Sequence, residues 1–287
     1  MRDYIELTKP RITWLILMST GVGYFYGQFY GGSTGFHLLR LLHTLIGTGL
    51  MASGTAALNQ WYEREADRHM RRTAGRPLPS GRLPANGALL FGTALSVAGF
   101  VELWLGVNLL SAAIGVFTLA SYLFLYTPMK QRTWWSTTVG AIPGAMPPMI
   151  GYAAAAGAIT PQSWVLFAIL FIWQFPHFYS IAWMYKEDYA RAGILMLPVV
   201  EPDCRSTARQ FVIYGIVLIP VSLIPAMLGM SGRVYVAGAL LLGLWFLYSG
   251  VRVALERSLS RARGVLVTSV LYLPLIYGLM LLDRPGL

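Results

Sequence analysis

Three oxygen-bearing side chains recur at every fourth position in the first strongly polar segment of an otherwise apolar sequence. Asn59, Glu63 and Asp67 have the spacing i, i+4, i+8, so on a helix all three project from one face. Mg²⁺ prefers one or two carboxylates together with water and phosphate oxygens. We therefore expect this column to hold Mg²⁺.

Basic side chains follow the column closely. Arg72 and Arg76 come directly after it, and Lys130 and Arg132 supply two more cations in a later polar segment. Guanidinium groups are forked donors suited to a diphosphate. Acidic and basic side chains this close together would neutralise each other's charge, unless the acids bind a metal ion and the basic groups bind an anion. The alternative reading, a solvated helix end that only anchors the chain in the membrane, stays open at this point.

A second polar cluster lies inside another apolar run. Trp173, Gln174 and His177 surround Pro176, which is expected to interrupt the helix and free backbone carbonyls nearby. Asp188 follows His177 by three helical turns, so on one continuous helix the two would share a face. A histidine beside a proline kink within the bilayer predicts a functional role, whereas elsewhere it is usually a packing residue.

The elements that must position these residues are membrane helices. Of the 287 residues, 56% are hydrophobic and only 12% are charged, and the mean hydropathy is +0.56. Apolar runs of about 20 residues span a bilayer as helices, whereas the alternating strands of a β-barrel are not visible. The prediction is an all-α integral membrane protein with about nine transmembrane helices around a central cavity, forming a single domain over 1–287. The expected spans are 12–30, 39–58, 85–105, 108–126, 137–158, 163–185, 210–230, 234–251 and 264–282.

The distribution of Lys and Arg sets the expected orientation. All of these residues except Arg40, Arg233 and Arg284 fall in the N-terminal tail or in loops on the same side of the membrane, which by the positive-inside rule is the cytoplasmic side. The N-terminus and the polar clusters are therefore expected to face the cytoplasm. This explains the net charge of +10 without a nucleic-acid partner. Because Cys204 is the sole cysteine, disulfides and cysteine metal clusters are excluded.

These motifs resemble the UbiA superfamily of intramembrane prenyltransferases. Its Asn-x₃-Asp-x₃-Asp motif is matched by Asn59, Glu63 and Asp67, with Glu63 standing where aspartate is usual. Further matches lie between Leu7 and Gly193. The two that indicate a branch are Trp173-Gln-x-Pro176-His177-Phe178 and Glu187-Asp188-Tyr189-x-x-Ala192-Gly193. They are similar to the branch whose acceptor is heme, since members with aromatic acceptors have a second aspartate-rich motif there.

The resemblance implies an Mg²⁺-dependent reaction in which farnesyl diphosphate and heme b give heme O and diphosphate. It implies a multi-pass enzyme of the bacterial inner membrane, in contact with lipid, with a downstream heme A synthase or terminal oxidase as a candidate protein partner. The implied metal ligands, which with His177 form the catalytic set, are Asn59, Glu63, Asp67 and Asp188. The implied diphosphate ligands are Arg72, Arg76, Lys130 and Arg132. The implied heme-binding residues are His177, Trp173, Gln174, Lys9 and Arg11.

Two other functions remain open from the sequence. One is prenyl transfer to an aromatic quinone precursor, which the His177 segment argues against. The other is a transporter or heme-handling protein with a polar site, which the clustering of acids and arginines on one side of the membrane argues against. Release of diphosphate by the purified protein would separate the enzyme from the transporter.

Overall fold

The computed structural model describes residues 1–31 and 37–284, and all regular structure in these ranges is helical. Besides α-helices, one π-helical segment, Ser121–Tyr126, continues α5. The α-helices are α1 (Arg2–Leu7), α2 (Pro10–Tyr30), α3 (Leu38–Arg68), α4 (Ala85–Gly106), α5 (Leu109–Ala120), α6 (Thr127–Met129), α7 (Ser136–Gly144), α8 (Pro147–Ala156), α9 (Pro161–Met184), α10 (Lys186–Arg191), α11 (Leu197–Val200), α12 (Arg205–Met227), α13 (Arg233–Glu256) and α14 (Leu259–Leu282).

Seven helical spans in the described residues are long and apolar enough to cross a membrane. They coincide with seven of the predicted spans, and the all-α membrane architecture is confirmed. The other two predicted spans, 12–30 and 137–158, correspond to α2 and to the α7–α8 pair, which are not among those seven. The count of about nine spans and the orientation of the N-terminus stay predictions.

The span expected over 137–158 is two helices rather than one. Helix α7 ends at Gly144, and α8 begins at Pro147, which is followed by Pro148. Proline has no backbone N–H, so neither Pro147 nor Pro148 can donate to a carbonyl of the preceding helical turn. The consecutive prolines therefore explain why the helix breaks near the middle of the predicted span.

Local sequence signals set several helix starts. Helices α2, α8 and α9 each have proline in the first turn, where the missing N–H costs nothing. Thr160 and Ser163 form a capping box at the start of α9, and the Asn108 side chain accepts from the Ser111 amide at the start of α5. These caps satisfy backbone donors that a membrane environment would otherwise leave unpaired.

The helices pack around a common interior. Helix α3 packs mainly against α4, α2 against α8, and α9 against α12 and α14. The largest cluster of buried apolar residues draws from α2, α8, α9, α12, α13 and α14. Large apolar side chains cover the outer faces, and Leu90, Phe124 and Leu241 are each more than two-thirds exposed. So extensive an apolar surface is that of a protein covered by lipid.

Candidate active site

The predicted column of Asn59, Glu63 and Asp67 lies on one helix and faces one cavity. Helix α3 continues to Arg68, well beyond the end of its predicted span, so the three residues are carried past the apolar segment without a break. All three line a cavity of about 390 Å³. Asn59 and Asp67 are only 1% and 0% exposed. The prediction that the three side chains share a helical face is confirmed.

Lys130 faces the column from the far side of the cavity. Its Nζ lies 2.6 Å from Glu63 Oε1, and the ammonium also lies 4.4 Å from the ring centroid of Tyr126. Burial alone would lower the pKa of Lys130, but the Glu63 carboxylate outweighs that effect and raises the pKa well above its ordinary value. Lys130 is therefore a permanent positive charge within the site.

Asp67 has two carboxylate oxygens in different environments. Oδ2 accepts a hydrogen bond of 2.7 Å from the guanidinium of Arg76. Oδ1 is buried and has no hydrogen-bond partner among the described residues. The loop that carries Arg76 is tied back to the helix end, because the Thr73 hydroxyl donates to the Asp67 carbonyl at 2.9 Å.

The residues at the start of α2 form one wall of the polar cavity, next to the column. Lys9 adopts a left-handed backbone conformation, with φ 48°, and its Nζ lies 3.5 Å from Asn59 Oδ1. The turn is held in place because Gln60 donates to the Leu7 carbonyl at 2.9 Å. Burial, together with the nearby positive charge of Arg76, lowers the pKa of Lys9 to about 8. The structure thus places Lys9 with the column and Arg76, apart from Trp173 and Gln174.

A second, apolar cavity adjoins the first. It has a volume of about 160 Å³ and shares Lys9, Ile12 and Tyr122 with the polar cavity. Its other walls come from α2, α3, α5 and the α7–α8 junction. Its remaining lining residues are Thr13, Ile16, Thr48, Met51, Ala52, Thr55, Ala56, Gly115, Thr118, Pro143, Gly144, Pro147 and Ile150. A charged head group and an apolar tail would thus find separate, connected spaces.

Two tyrosines of the site were not predicted. Tyr122 and Tyr126 line the polar cavity, and their rings contact each other at 5.0 Å between centroids. Both belong to the π-helical segment Ser121–Tyr126, and such segments are rare and are frequent at functional sites. The spacing of Tyr122, Tyr126 and Lys130 is i, i+4, i+8 like that of the acidic column, and this signal could have identified them.

Asp188 lies at the boundary of the polar cavity rather than inside it. Its carboxylate accepts from the Arg72 backbone amide at 3.2 Å and forms an ion pair with Arg191. Arg72 itself lines the polar cavity, beside Tyr189. The expectation that Asp188 shares a helical face with His177 is wrong, because helix α9 ends at Met184 and Asp188 belongs to the separate α10.

His177 is held by the last helix. Its Nδ1 lies 2.9 Å from the Ser269 hydroxyl, and that hydroxyl donates to the Leu266 carbonyl at 2.7 Å. A hydroxyl has one proton, so with that proton on the Leu266 carbonyl the hydrogen of the His177–Ser269 contact is carried by Nδ1, and the Nε2 lone pair is then available. Trp173 stacks on the His177 ring at 4.8 Å and donates its Nε1–H to the Ser269 carbonyl at 2.8 Å.

Gln174 has a structural role in the described residues. Its amide nitrogen donates to the carbonyls of Ala141 and Leu170 at 3.1 and 3.0 Å, joining α9 to α7. Its oxygen occupies the space beside Gly144 where a Cβ would lie. Helix α9 runs through Pro176 without a break, so the predicted interruption is wrong. The proline removes one donor, and the packed helix around it persists.

Arg11 and Arg132 stand apart from the residues brought together here. Both are exposed, and neither is among the residues that line the polar cavity. The structure therefore assembles seven of the predicted residues around that cavity and leaves these two at its outside. The assembled residues are Lys9, Asn59, Glu63, Asp67, Arg72, Arg76 and Lys130.

The residues of the column suit a hard divalent cation that arrives with its own oxygen ligands. No group of three or more His, Cys, Asp or Glu forms a ready-made metal site in 1–31 and 37–284. Mg²⁺ does not require one, because it keeps water and substrate phosphate oxygens as ligands. Asp67 Oδ1, buried and without a partner, is the kind of oxygen that such an ion would satisfy.

Comparison with known proteins gives a consistent result. The profile of the UbiA prenyltransferase family matches residues 16–273. A protein of Solibacter usitatus (strain Ellin6076) named protoheme IX farnesyltransferase is 82% identical over 100% of both chains. Another of the same name from Koribacter versatilis (strain Ellin345) is 45% identical, over 99% of this chain and 94% of its own length.

Solved structures share the fold. The structure of a digeranylgeranylglyceryl phosphate synthase superposes with a TM-score of 0.79 at 18% identity, covering 100% of this chain and 99% of that one. A UbiA homologue from Archaeoglobus fulgidus bound to GPP and Mg²⁺ gives a TM-score of 0.67 at 14% identity, with 97% and 99% covered. At these identities the likeness concerns the fold alone.

Proposed function

Because this chain belongs to the UbiA prenyltransferase family, we propose that it transfers a farnesyl group from farnesyl diphosphate to a vinyl group of heme b. The products are heme O and diphosphate. The names of relatives up to 82% identical over the full chain support this substrate pair. The chain is an enzyme of the membrane, and the choice of heme as its acceptor is the specific part of the proposal.

The observation that carries the proposal is the pairing of the two cavities. The polar one holds the column of Asn59, Glu63 and Asp67 opposite cationic side chains, and the apolar one opens from it past Tyr122. An allylic diphosphate has this division between a highly charged head and a hydrocarbon tail. The reacting C–O bond would lie where the two cavities meet.

The cations prepare the site for the leaving group. When the allylic C–O bond breaks, its electron pair departs with the diphosphate, and fixed positive charge lowers the energy of that state. Lys9, Arg72, Arg76 and Lys130 supply this charge from three sides of the cavity. Mg²⁺, held by Asn59, Glu63 and Asp67 and completed by Asp188 at the boundary, would neutralise the remaining diphosphate charge. Arg132, outside the cavity, would attract the anion from solution.

The acceptor then supplies the electrons of the new bond. A vinyl carbon of the porphyrin bonds to C1 of the farnesyl cation, and the positive charge passes to the carbon next to the ring. Water adds there and releases a proton, which gives the hydroxyethylfarnesyl group. No nucleophilic side chain is required. The apolar walls must exclude water from the farnesyl cation until the carbon–carbon bond has formed.

His177 is proposed to orient the porphyrin. In the tautomer with the proton on Nδ1, which the Ser269 hydroxyl can accept, Nε2 has a lone pair of the kind that binds iron well. Trp173 stacks on the imidazole and limits its rotation, while Gln174 fixes the helix beside it. Arg11 remains a candidate for a porphyrin carboxylate.

The proposed location is the bacterial inner membrane with the site facing the cytoplasm. The positive-inside distribution of Lys and Arg supports it, and both substrates are amphiphiles that reach such a site from the lipid. A heme A synthase or terminal oxidase is proposed as the consumer of the product.

The test is purified protein with heme b, farnesyl diphosphate and Mg²⁺, with products identified by chromatography and mass spectrometry. We expect a farnesylated, hydrated heme that disappears when a chelator removes Mg²⁺. Prenylation of an aromatic acid instead of heme would move the enzyme to the aromatic-acceptor branch. Absence of both products, with no diphosphate released, would favour a transporter or heme-handling protein.

A further inference from the structure

Tyr122 lies where the polar and apolar cavities meet. Among the described residues, Lys9, Ile12 and Tyr122 are the three that line both cavities. Tyr122 is also the one aromatic residue in the described lining of the apolar cavity. With the diphosphate in the polar cavity and the prenyl tail in the apolar one, C1 of the substrate lies at this junction. The junction therefore places an aromatic ring beside the reacting carbon.

The junction must accommodate opposite charges on the two sides of one breaking bond. The electron pair of the C1–O bond leaves with the diphosphate, which the Lys9 ammonium helps to stabilise. The carbon that remains is a cation, and the same ammonium raises its energy. The side chain of Ile12 is uncharged and offers the cation little attraction. The face of an aromatic ring has a negative potential, and it attracts a cation within about 6 Å of its centroid without forming a bond.

The neighbouring Tyr126 already has other contacts. Lys130 Nζ lies 4.4 Å from the centroid of the Tyr126 ring and 5.9 Å from that of Tyr122. A Cβ at Gly140 would lie 2.5 Å from two carbons of the Tyr126 ring, so this ring packs directly against α7. Tyr126 lines the polar cavity but is not in the described lining of the apolar one. Of the two rings, that of Tyr122 is the one that the prenyl chain can contact.

Hydrogen bonds connect the backbone of Tyr122 to the acidic column. Asn59 Nδ2 donates to the Thr127 hydroxyl oxygen at 3.3 Å, and that hydroxyl donates to the Tyr122 carbonyl at 2.8 Å. The backbone amide of Thr127 donates to the same carbonyl. A residue expected to bind the metal is thus tied to the π-helical segment that carries the ring, which fixes the ring relative to the diphosphate.

We propose that the face of the Tyr122 ring stabilises the farnesyl cation that forms when the C1–O bond breaks. The inference rests on the proposed function and adds a catalytic residue to it. No bond forms between the ring and the substrate. The electron pair of the broken bond stays on the diphosphate, and C1 then accepts the electron pair of the porphyrin vinyl group. Between these two events the ring lowers the energy of the cation and keeps water away from C1.

The test replaces Tyr122 with phenylalanine and with phenylalanines that carry one, two and three ring fluorines, introduced as non-natural amino acids. Fluorine withdraws electron density from the face of the ring with little change in its size. A desolvated cation–π contact is worth a rate factor on the order of 10–30. We therefore expect the single-turnover rate to fall with each added fluorine, about tenfold in total. The KM for farnesyl diphosphate should stay unchanged, because the uncharged C1 of the bound substrate does not use the contact.

The matched control is the same fluorinated series at Phe124. This residue belongs to the same π-helical segment and is 72% exposed on the outer surface, so fluorination there should leave the rate unchanged. Tyr122→Phe, which keeps the ring, should retain most of the turnover. Tyr122→Leu, which keeps an apolar side chain without a ring, should lose about tenfold or more. Equal single-turnover rates across the fluorinated series at position 122 would overturn the inference.

The failure of this inference differs from the failure of the proposed function. An enzyme that makes farnesylated heme at one rate throughout the series at position 122 overturns the inference and leaves the function intact. If the wild type prenylates an aromatic acid instead of heme, the proposed function is wrong. The series is then measured with that acceptor, because the same cation forms. A wild type that releases no diphosphate with either acceptor overturns both.

Discussion

Asp67 illustrates how one residue can carry both stability and chemistry. Its Oδ2 pairs with Arg76 at 2.7 Å, whereas Oδ1 is buried without a partner among the described residues. An unsatisfied buried oxygen costs about 1–3 kcal/mol. This cost in stability disappears when a ligand binds the unpaired oxygen. We therefore interpret Oδ1 as a ligand of the cation that arrives with the substrate.

We expect Asp67→Asn to reduce turnover about a hundredfold or more, because the amide cannot supply the negative charge that holds the metal. Glu65→Gln is the matched control, since Glu65 lies on the same helix, is 62% exposed and pairs only with neighbouring arginines. Turnover and thermal unfolding in detergent would be measured for both. Near-normal turnover of Asp67→Asn at saturating Mg²⁺ would contradict the metal assignment.

Ser269 is expected to act through His177. In Ser269→Ala the imidazole loses the oxygen that holds its proton on Nδ1, so the ring can turn or change tautomer. Loss of such a supporting hydrogen bond typically costs about 10–100-fold in metal affinity or activity. We predict a comparable drop in heme turnover, with the KM for farnesyl diphosphate unchanged.

The absorption spectrum of bound heme separates this role from simple packing. Ser269→Ala should shift the Soret band, and Ser269→Thr, which keeps a hydroxyl, should restore both spectrum and turnover. A wild-type spectrum in Ser269→Ala, or failure of Ser269→Thr to restore it, would show that His177 does not reach the heme through this contact.

At the scale of the elements, glycines allow α2 and α8 to touch. A Cβ at Gly23 would lie 1.9 Å from the Pro148 carbonyl oxygen, and one at Gly151 would lie 1.9 Å from that of Thr20. Backbone cannot move as a flexible side chain can, so these helices approach at a distance that only glycine permits. This contact fixes Pro147 and Ile150, which line the apolar cavity.

Gly23→Ala should therefore destabilise the protein by about 1–3 kcal/mol or more, as overpacking does. Gly21→Ala, two residues away on the same helix, meets nothing within 4 Å and should be neutral. Thermal unfolding of the two variants in the same detergent gives the comparison. Equal unfolding temperatures would contradict the close approach of α2 to α8.

The sequence predicts those elements whose causes are local. Helical spacing places Asn59, Glu63 and Asp67 on one face, and α3 extends to Arg68 as required. The end of α9 agrees with the span predicted over 163–185. The placement of Asp188 on a separate helix and the continuation of α9 through Pro176 were not predicted, because both depend on how α9 packs against its neighbours. The π-helical turn that presents Tyr122 and Tyr126 likewise has no simple local signal.

The choice of partners is less predictable than the elements. Lys9, Arg76 and Lys130 converge on the column from segments far apart in sequence, whereas Arg132, two residues after Lys130, stays outside. Residue types alone do not distinguish Lys130 from Arg132. The ion pair with Glu63 does, and it exists only once α3 and the π-helical segment have packed.

At the scale of the whole molecule, the predicted orientation can be tested with a thiol reagent that does not cross membranes. Burial raises the pKa of the Cys204 thiol, so this native cysteine should react slowly with the reagent. The protein without an added cysteine therefore gives the background level of labelling. Asp203→Cys adds an exposed thiol on the predicted cytoplasmic side, and Val234→Cys, at a position 65% exposed, adds one on the other side.

We expect Asp203→Cys to label only in inside-out vesicles and Val234→Cys only in intact cells. Each variant is the control for the other, because each should be labelled in the preparation, cells or vesicles, in which the other is not labelled. Labelling of Asp203→Cys in intact cells would reverse the topology and place the polar cavity outside the cytoplasm.

The ion pairs of the ligand-free site have a consequence for the order of binding. In the ligand-free site, Glu63 and Asp67 form ion pairs with Lys130 and Arg76. A free anion that bound the two cations would leave both carboxylates without a partner. A free metal ion that bound the carboxylates would leave both cations without a partner. Either event alone is costly in a poorly solvated site. A magnesium diphosphate complex satisfies both sets at once. We expect the two ions to bind synergistically, with each strengthening the affinity for the other, and the empty enzyme to discriminate against inorganic phosphate and against uncomplexed metal.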